Sequence, residues 1–223
     1  MGSLPGAPGA IGIHGNRGKR GFMQITASMV KELRERTGTG MMECKDALAQ
    51  SKGNIDDAVA ILRKKGLATA ARRSSRATSE GLVGSYIHPG GRIGVLLEIN
   101  CETDFVARTD EFQSLVKDIC MHVAAASPRF IDREEVTPGI LEKEREIYLD
   151  QAKATGKPEK VLEKIVQGKM EKFYSEACLM EQPFVKDSSM SVGDLLTAAI
   201  SRTGENMKIR RFSRFVLGES AAD

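Results

Sequence analysis

The chain has 223 residues, 41% hydrophobic and 28% charged, the composition of a folded globular protein of one or two domains. No apolar run approaches the roughly 20 residues that a spanning helix needs, which excludes a helical membrane protein. A net charge of +3 permits a nucleic-acid surface without arguing for one, and four scattered cysteines with no CxxC pair speak against a zinc site.

Residues 1–22, MGSLPGAPGAIGIHGNRGKRGF, place Gly at 6, 9, 12, 15, 18 and 21. Six such triplets with few prolines cannot hold a collagen triple helix. The segment has neither the apolar stretch of a secretory signal nor the amphipathic pattern of a transit peptide. It reads as an expression tag, a disordered leader or a linker, with the folded protein starting at Met23.

Residues 23–66 predict three short helices. Thr26 caps the first and Gly38 ends it; the second follows Gly40 and stops at Gly53; Asn54 caps the third and Gly66 closes it. Apolar positions repeat helically at Met29, Val30 and Leu33, then Cys44, Ala47 and Leu48, then Ile55, Ala58, Val59 and Leu62. Such a module lies near the lower limit for independent folding. The linker at 67–80 continues a basic tether, with six Lys or Arg between Arg63 and Glu80. It reads either as an RNA contact or as a solvated helix tail and hinge, and the lack of interleaved aromatics favours the second.

From Gly81 the hydrophobic period becomes two. Segments 82–88 and 92–100 flank the turn Pro89-Gly90-Gly91 as a β-hairpin, with Ile93, Val95, Leu97 and Ile99 on one face. A helix follows over 110–126 with Phe112, Leu115, Val116, Ile119 and Val123 as its stripe, and Pro128 stops it. Residues 139–181 predict two antiparallel helices joined at Gly156-Lys157-Pro158, with a stripe so thin that the hairpin projects from the body. Ser191 caps another helix over 192–203, with Asp194 completing a capping box, and the chain closes with a strand at 206–217. The fold class is therefore α+β. A three-helix module precedes a core domain at 81–220, in which a three-stranded antiparallel sheet carries helices on one face.

No GxxxxGK[ST] loop, GxSxG elbow or HExxH helix occurs. His88 and His122 each fall within an element and read as structural. The cysteines, Cys44, Cys101, Cys120 and Cys178, read as reduced core thiols of an intracellular protein. With no catalytic constellation, cofactor motif or metal-ligand cluster, the chain reads as a binding protein and not an enzyme. Two places break their local pattern. Met42 lies off the buried phase of its helix, either as a contact residue or as a local plug. Phe105 precedes the stripe of its helix, either as a staple folded into the core or as a group held out for a partner.

The segments ITASMVKELRERTGTGMMECKDAL (25–48), EINCETDFVAR (98–108) and GENMKIRRF (204–212) together resemble translation elongation factor Ts, over residues 25–218. The resemblance implies guanine-nucleotide exchange on the GTPase elongation factor Tu. It likens the helical module to ubiquitin-associated domains that dock on that partner. Met41 and Met42 match the family's docking methionines. Thr103, Asp104, Phe105, Val106, Ala107 and Arg108 match its signature corner, whose Phe presses into an apolar pocket near the partner's Mg²⁺ site. Asn206, Ile209, Arg210 and Arg211 fall in a segment near a second contact.

Long family members carry two core subdomains, whereas this chain has one sheet-sized set of strands and resembles the short form of cyanobacteria and plastids. Short members pair as homodimers, so a homodimer is expected, with a disulfide across it as a further option. The resemblance implies the cytoplasm of a bacterium or a plastid stroma. The rival reading is an RNA-binding or ribosome-associated adaptor using the basic tether and KIRRFSR.

Overall fold

The computed structural model describes Gly2, residues 25–154 and residues 156–219. Apart from Gly2, the leader reading at 1–22 lies outside the described residues. The N-terminal module has helices α1 (Ala27–Thr37), α2 (Met41–Gln50) and α3 (Ile55–Arg73). The Thr26 hydroxyl caps α1 by accepting from the Met29 N–H at 3.3 Å, and Asn54 caps α3 by accepting from Asp56 and Asp57. Gly38 leaves α1 in the left-handed conformation, φ 65°, where a side chain would be strained. Leu33, Cys44, Ala47, Leu48, Ala58 and Leu62 make its small core.

The stop expected at Gly66 does not occur. Helix α3 runs on to Arg73, so only residues 74–79 remain as connection to the sheet. The reason is a helix crossing: Gly66 is buried, and a Cβ built there would lie 3.6 Å from Thr197 Cγ2. Arg63 bonds the Ser189 carbonyl at 3.3 Å, and Arg73 bonds the Ile200 carbonyl at 3.0 Å. The module is seated on the core domain by these contacts, residues 67–73 form a helix tail, and the linker expected at 67–80 shortens to 74–79.

Strands β1 (Glu80–Ile87), β2 (Ile93–Cys101) and a C-terminal strand form an antiparallel sheet with β2 in the centre. Helices α4 (Asp104–Ala107) and α5 (Asp110–Ala126) follow β2. Helix α5 covers one face of the sheet and lies close over Gly84, where a Cβ would fall 2.2 Å from Val116 Cγ1. Two helices, α6 (Pro138–Lys153) and α7 (Glu159–Ala177), form the expected hairpin. Its base is held by the Ala177 carbonyl, which accepts from the Arg129 and Phe130 N–H groups, and by Arg133 on Glu171 and Glu181.

A short ribbon of β3 (Pro183–Phe184) and β4 (Asp187–Ser191), which the sequence reading lacks, leads into α8 (Val192–Thr203). The Ser191–Asp194 capping box is present as read. Strand β5 (Met207–Val216) completes the sheet in the order β1-β2-β5. The core joins Val95, Leu97 and Ile99 of β2 to Phe112, Val116 and Ile119 of α5 and Val192, Leu196 and Ile200 of α8. The fold is α+β with a three-stranded antiparallel sheet, as the periodicities require.

Candidate partner-docking surface

The corner after β2 is built from its own cap. The Thr103 hydroxyl accepts from the Val106 N–H at 3.4 Å and starts the four-residue α4. With one turn of helix, consecutive side chains diverge: Ala107 is buried, Val106 packs half-buried against the main core, and Phe105 points out, 78% exposed. Asp104 and Arg108 flank the ring as an i,i+4 pair at 2.7 Å, an exposed bridge that orients more than it stabilises. Behind the corner, the Thr103 hydroxyl donates to Glu205 Oε1 at 2.6 Å, and the Cys101 thiol donates to the Thr103 carbonyl at 3.1 Å. Burial, with Glu205 nearby, pushes the Cys101 thiol up to about 11, so it stays protonated and structural.

Met41 and Met42 begin α2 and are 58% and 68% exposed. On β5 a bulge breaks the register between Glu98 and Ile99: Glu98 faces Arg211 and Ile99 faces Ile209, leaving Arg210 as the extra residue. The inserted residue reverses the alternation. Met207 and Ile209 point into the core, while Arg210 and Arg211 are both exposed. Arg211 bonds Glu98 at 2.7 Å, and that bond holds the Glu98 carboxyl below its ordinary value.

Three expected surface residues lie inside the chain's own fold. Asn206 is 2% exposed and donates to the Ser74 and Arg76 carbonyls. Ile209 and Ala107 belong to the main core. They shape the surface from beneath and do not form it.

Two groups were missed. Glu102 and Glu205 each sit one residue before the expected contact residues, Thr103 and Asn206, and only the adjacency of β2 and β5 gives them a role. The other is the sheet face opposite α5. Val83, Ile87, Leu96, Phe215 and Leu217 are exposed there. The paired apolar residues Leu82-Val83, Tyr86-Ile87 and Leu96-Leu97 are the signal, because strict alternation would have made one of each pair polar.

A family profile described as elongation factor TS matches residues 18–219. The chain belongs to the elongation factor Ts family. An elongation factor Ts of Solibacter usitatus is 56% identical over 197 residues, covering 88% of this chain and 93% of the relative. Those of Alkaliphilus oremlandii and Geobacter sulfurreducens are each 59% identical over 197 residues, covering 88% of this chain and 91% of each relative. Membership of the elongation factor Ts family gives the protein a role in translation elongation, as an exchange factor and not a catalytic enzyme. Among the described residues, no group of three or more His, Cys, Asp or Glu side chains could hold a metal ion.

Proposed function

We propose that this protein promotes release of GDP from elongation factor Tu, with Phe105 as an apolar wedge entering a pocket near the partner's Mg²⁺ and phosphate site. The observation that carries the reading is the 78% exposure of Phe105 on a corner whose backbone is otherwise braced. A large rigid ring presented this way has the form of an interface anchor. An exchange factor acts by linkage: it binds the nucleotide-free GTPase more tightly, and weakens nucleotide binding by the same factor. Burying one Phe is worth about 1.5–3 kcal/mol. At about 1.4 kcal/mol per tenfold, Phe105 alone accounts for a roughly ten- to hundredfold weakening. Anything larger draws on remote contacts, for which Met41, Met42, Arg210 and Arg211 are the exposed candidates.

Phe105→Ala tests this by release of labelled GDP from elongation factor Tu. Stimulated release is expected to fall roughly ten- to hundredfold, with thermal stability within about 0.5 kcal/mol of the wild type. A core Phe would instead lose about 3–5 kcal/mol of stability. Full stimulation by Phe105→Ala would end the wedge reading.

The RNA-adaptor reading has less behind it. Arg63, Lys65, Arg72, Arg73 and Arg76 of the basic stretch each hold a carboxylate or carbonyl of the protein itself. We place the protein in the bacterial cytoplasm with its bacterial relatives. It is proposed to pair with a second copy through the open sheet face. All four cysteines are buried, so the pairing is non-covalent.

A further inference from the structure

Phe105 cannot set its own direction. Its ring has little of its own fold to pack on, and a helix of four residues is far too short to be stable alone. The direction must come from what holds the cap. Strands β2 and β5 are antiparallel neighbours, so the end of β2 at Cys101 pairs with the start of β5 at Met207. Beyond that pair the ladder stops, and the next N–H groups need other acceptors. Two carboxylates supply them, each reaching across to the other segment. Glu102 accepts from the Asn206 N–H at 2.6 Å. Glu205 accepts from the Thr103 N–H at 3.0 Å with one oxygen and from the Thr103 hydroxyl at 2.6 Å with the other.

The second contact fixes the hydroxyl as a donor toward Glu205, which leaves its lone pairs for the Val106 N–H that starts α4. The chain after α3 joins the same set: the buried Asn206 amide donates to the Ser74 and Arg76 carbonyls, and Arg76 returns to Glu102 at 3.4 Å. Bonds to charged acceptors are among the strongest available for such a junction.

We propose that Glu102 and Glu205 form a reciprocal clasp that sets the direction in which Phe105 points and ties that direction to the end of α3; the functional part of the proposal rests on the wedge reading. Both are positioning residues, acting through the backbone of the corner. Docking of the helical module then finds the ring already aimed, instead of ordering it on contact.

The test uses the full chain. It contains no tryptophan, so Phe105→Trp supplies a single indole reporter in the partner-free protein. Adding Glu205→Ala is expected to lower the indole's time-resolved anisotropy, and Glu205→Gln, which keeps an acceptor for the Thr103 N–H, to recover most of it. With the native Phe105, Glu205→Ala should lower the maximal stimulated GDP release roughly ten- to a hundredfold, as misplacement by about 1 Å can, at little-changed half-saturating concentration. Glu205→Gln should again recover most of that rate. Met42→Ala should raise the half-saturating concentration and leave the indole anisotropy of the partner-free Phe105→Trp protein unchanged, because Met42 takes no part in the clasp. If Glu205→Ala prevents folding, Thr103→Val and Thr103→Ser replace it, with loss expected only for the variant without a hydroxyl. Unchanged anisotropy overturns the clasp. A freer indole with an unchanged maximal rate overturns its positioning role. Full activity of Phe105→Ala would instead count against the wedge alone, because the anisotropy judges the clasp without the GTPase.

Discussion

At the scale of single residues, His122 shows how burial settles chemistry. Its Nε2 lies 2.9 Å from Gln182 Oε1 and so donates, while Nδ1 accepts from the Val185 N–H at 3.2 Å. Both ring nitrogens are satisfied only in this neutral tautomer; a second proton would set two N–H groups against each other. Burial pushes the pKa of His122 below its ordinary value, against a smaller opposing effect of Gln182. In the unfolded chain the group titrates near pH 6.5. Below that pH the unfolded state binds more protons than the folded one, so stability falls as pH drops through about 6.5 toward the folded pKa. Melting between pH 7 and 5 should show this loss, up to about 1.4 kcal/mol per pH unit. His122→Gln should be less stable at pH 7 but flatter with pH over that window; an equal slope in both proteins would assign the loss to other groups. The thiols give a companion expectation. Burial pushes Cys101, Cys120 and Cys178 up to about 11 and raises Cys44. A disulfide-exchange reagent at pH 8 should therefore find no fast-reacting thiol in the native protein, and all four after denaturation. A fast-reacting thiol in the native state would contradict their burial.

At the scale of elements, α3 carries the sharpest difference between pattern and fold. A glycine after a helical stripe is the ordinary mark of a C-terminus, and Gly38 and Gly204 serve that purpose, both left-handed. Gly66 looks the same in sequence, but its role is set by α8, about 130 residues away, which no local pattern reports. Gly66→Ala is expected to stabilise the fold by roughly 0.5–1 kcal/mol, because Ala is the better helix former and its Cβ would make only an ordinary contact with Thr197. A drop in melting temperature would place α8 too close for a methyl group. The elements that sequence made legible are those with local causes: the caps at Thr26, Asn54 and Ser191, the stripe of α5, and the alternation of β2. Those it hid depend on distant partners. The ribbon β3–β4 is too short and polar to show a period. The β5 bulge follows from pairing with β2, and it turned Ile209 inward while leaving both arginines out. The site was legible in the same proportion. Phe105 and Phe112 both stand at helix starts, and only the single turn of α4 separates the exposed ring from the buried one.

At the scale of the whole molecule, the described residues cover the sheet on one side only. Helix α5 lies on the inner face, while across the outer face the pairing places Ile87, Gly94 and Phe215 in one row. Gly94 leaves a gap that the Ile87 side chain leans over, and a shallow hollow of about 500 Å³ extends from there past Leu96 and Leu217. An apolar sheet face in water is a surface for another sheet, and two sheets pack face to face about 10 Å apart. A two-fold pairing needs only a self-complementary patch, which a ring beside a hollow can provide. The proposed homodimer should therefore run at twice the monomer mass in light scattering at micromolar concentration. Phe215→Asp should shift it to monomer. Sealing an unpaired carboxylate in the interface costs about 3 kcal/mol or more, above a hundredfold in affinity. Because Phe215 is 65% exposed in the single chain, the monomeric variant should keep its fold and its circular dichroism. A wild-type monomer across that range refutes the pairing, and a Phe215→Asp dimer moves it to another face. Phe105 is not among the exposed residues of that face, so the monomeric variant should still stimulate GDP release at saturating concentration. That retained rate would separate the wedge from the dimer as two independent properties of one fold.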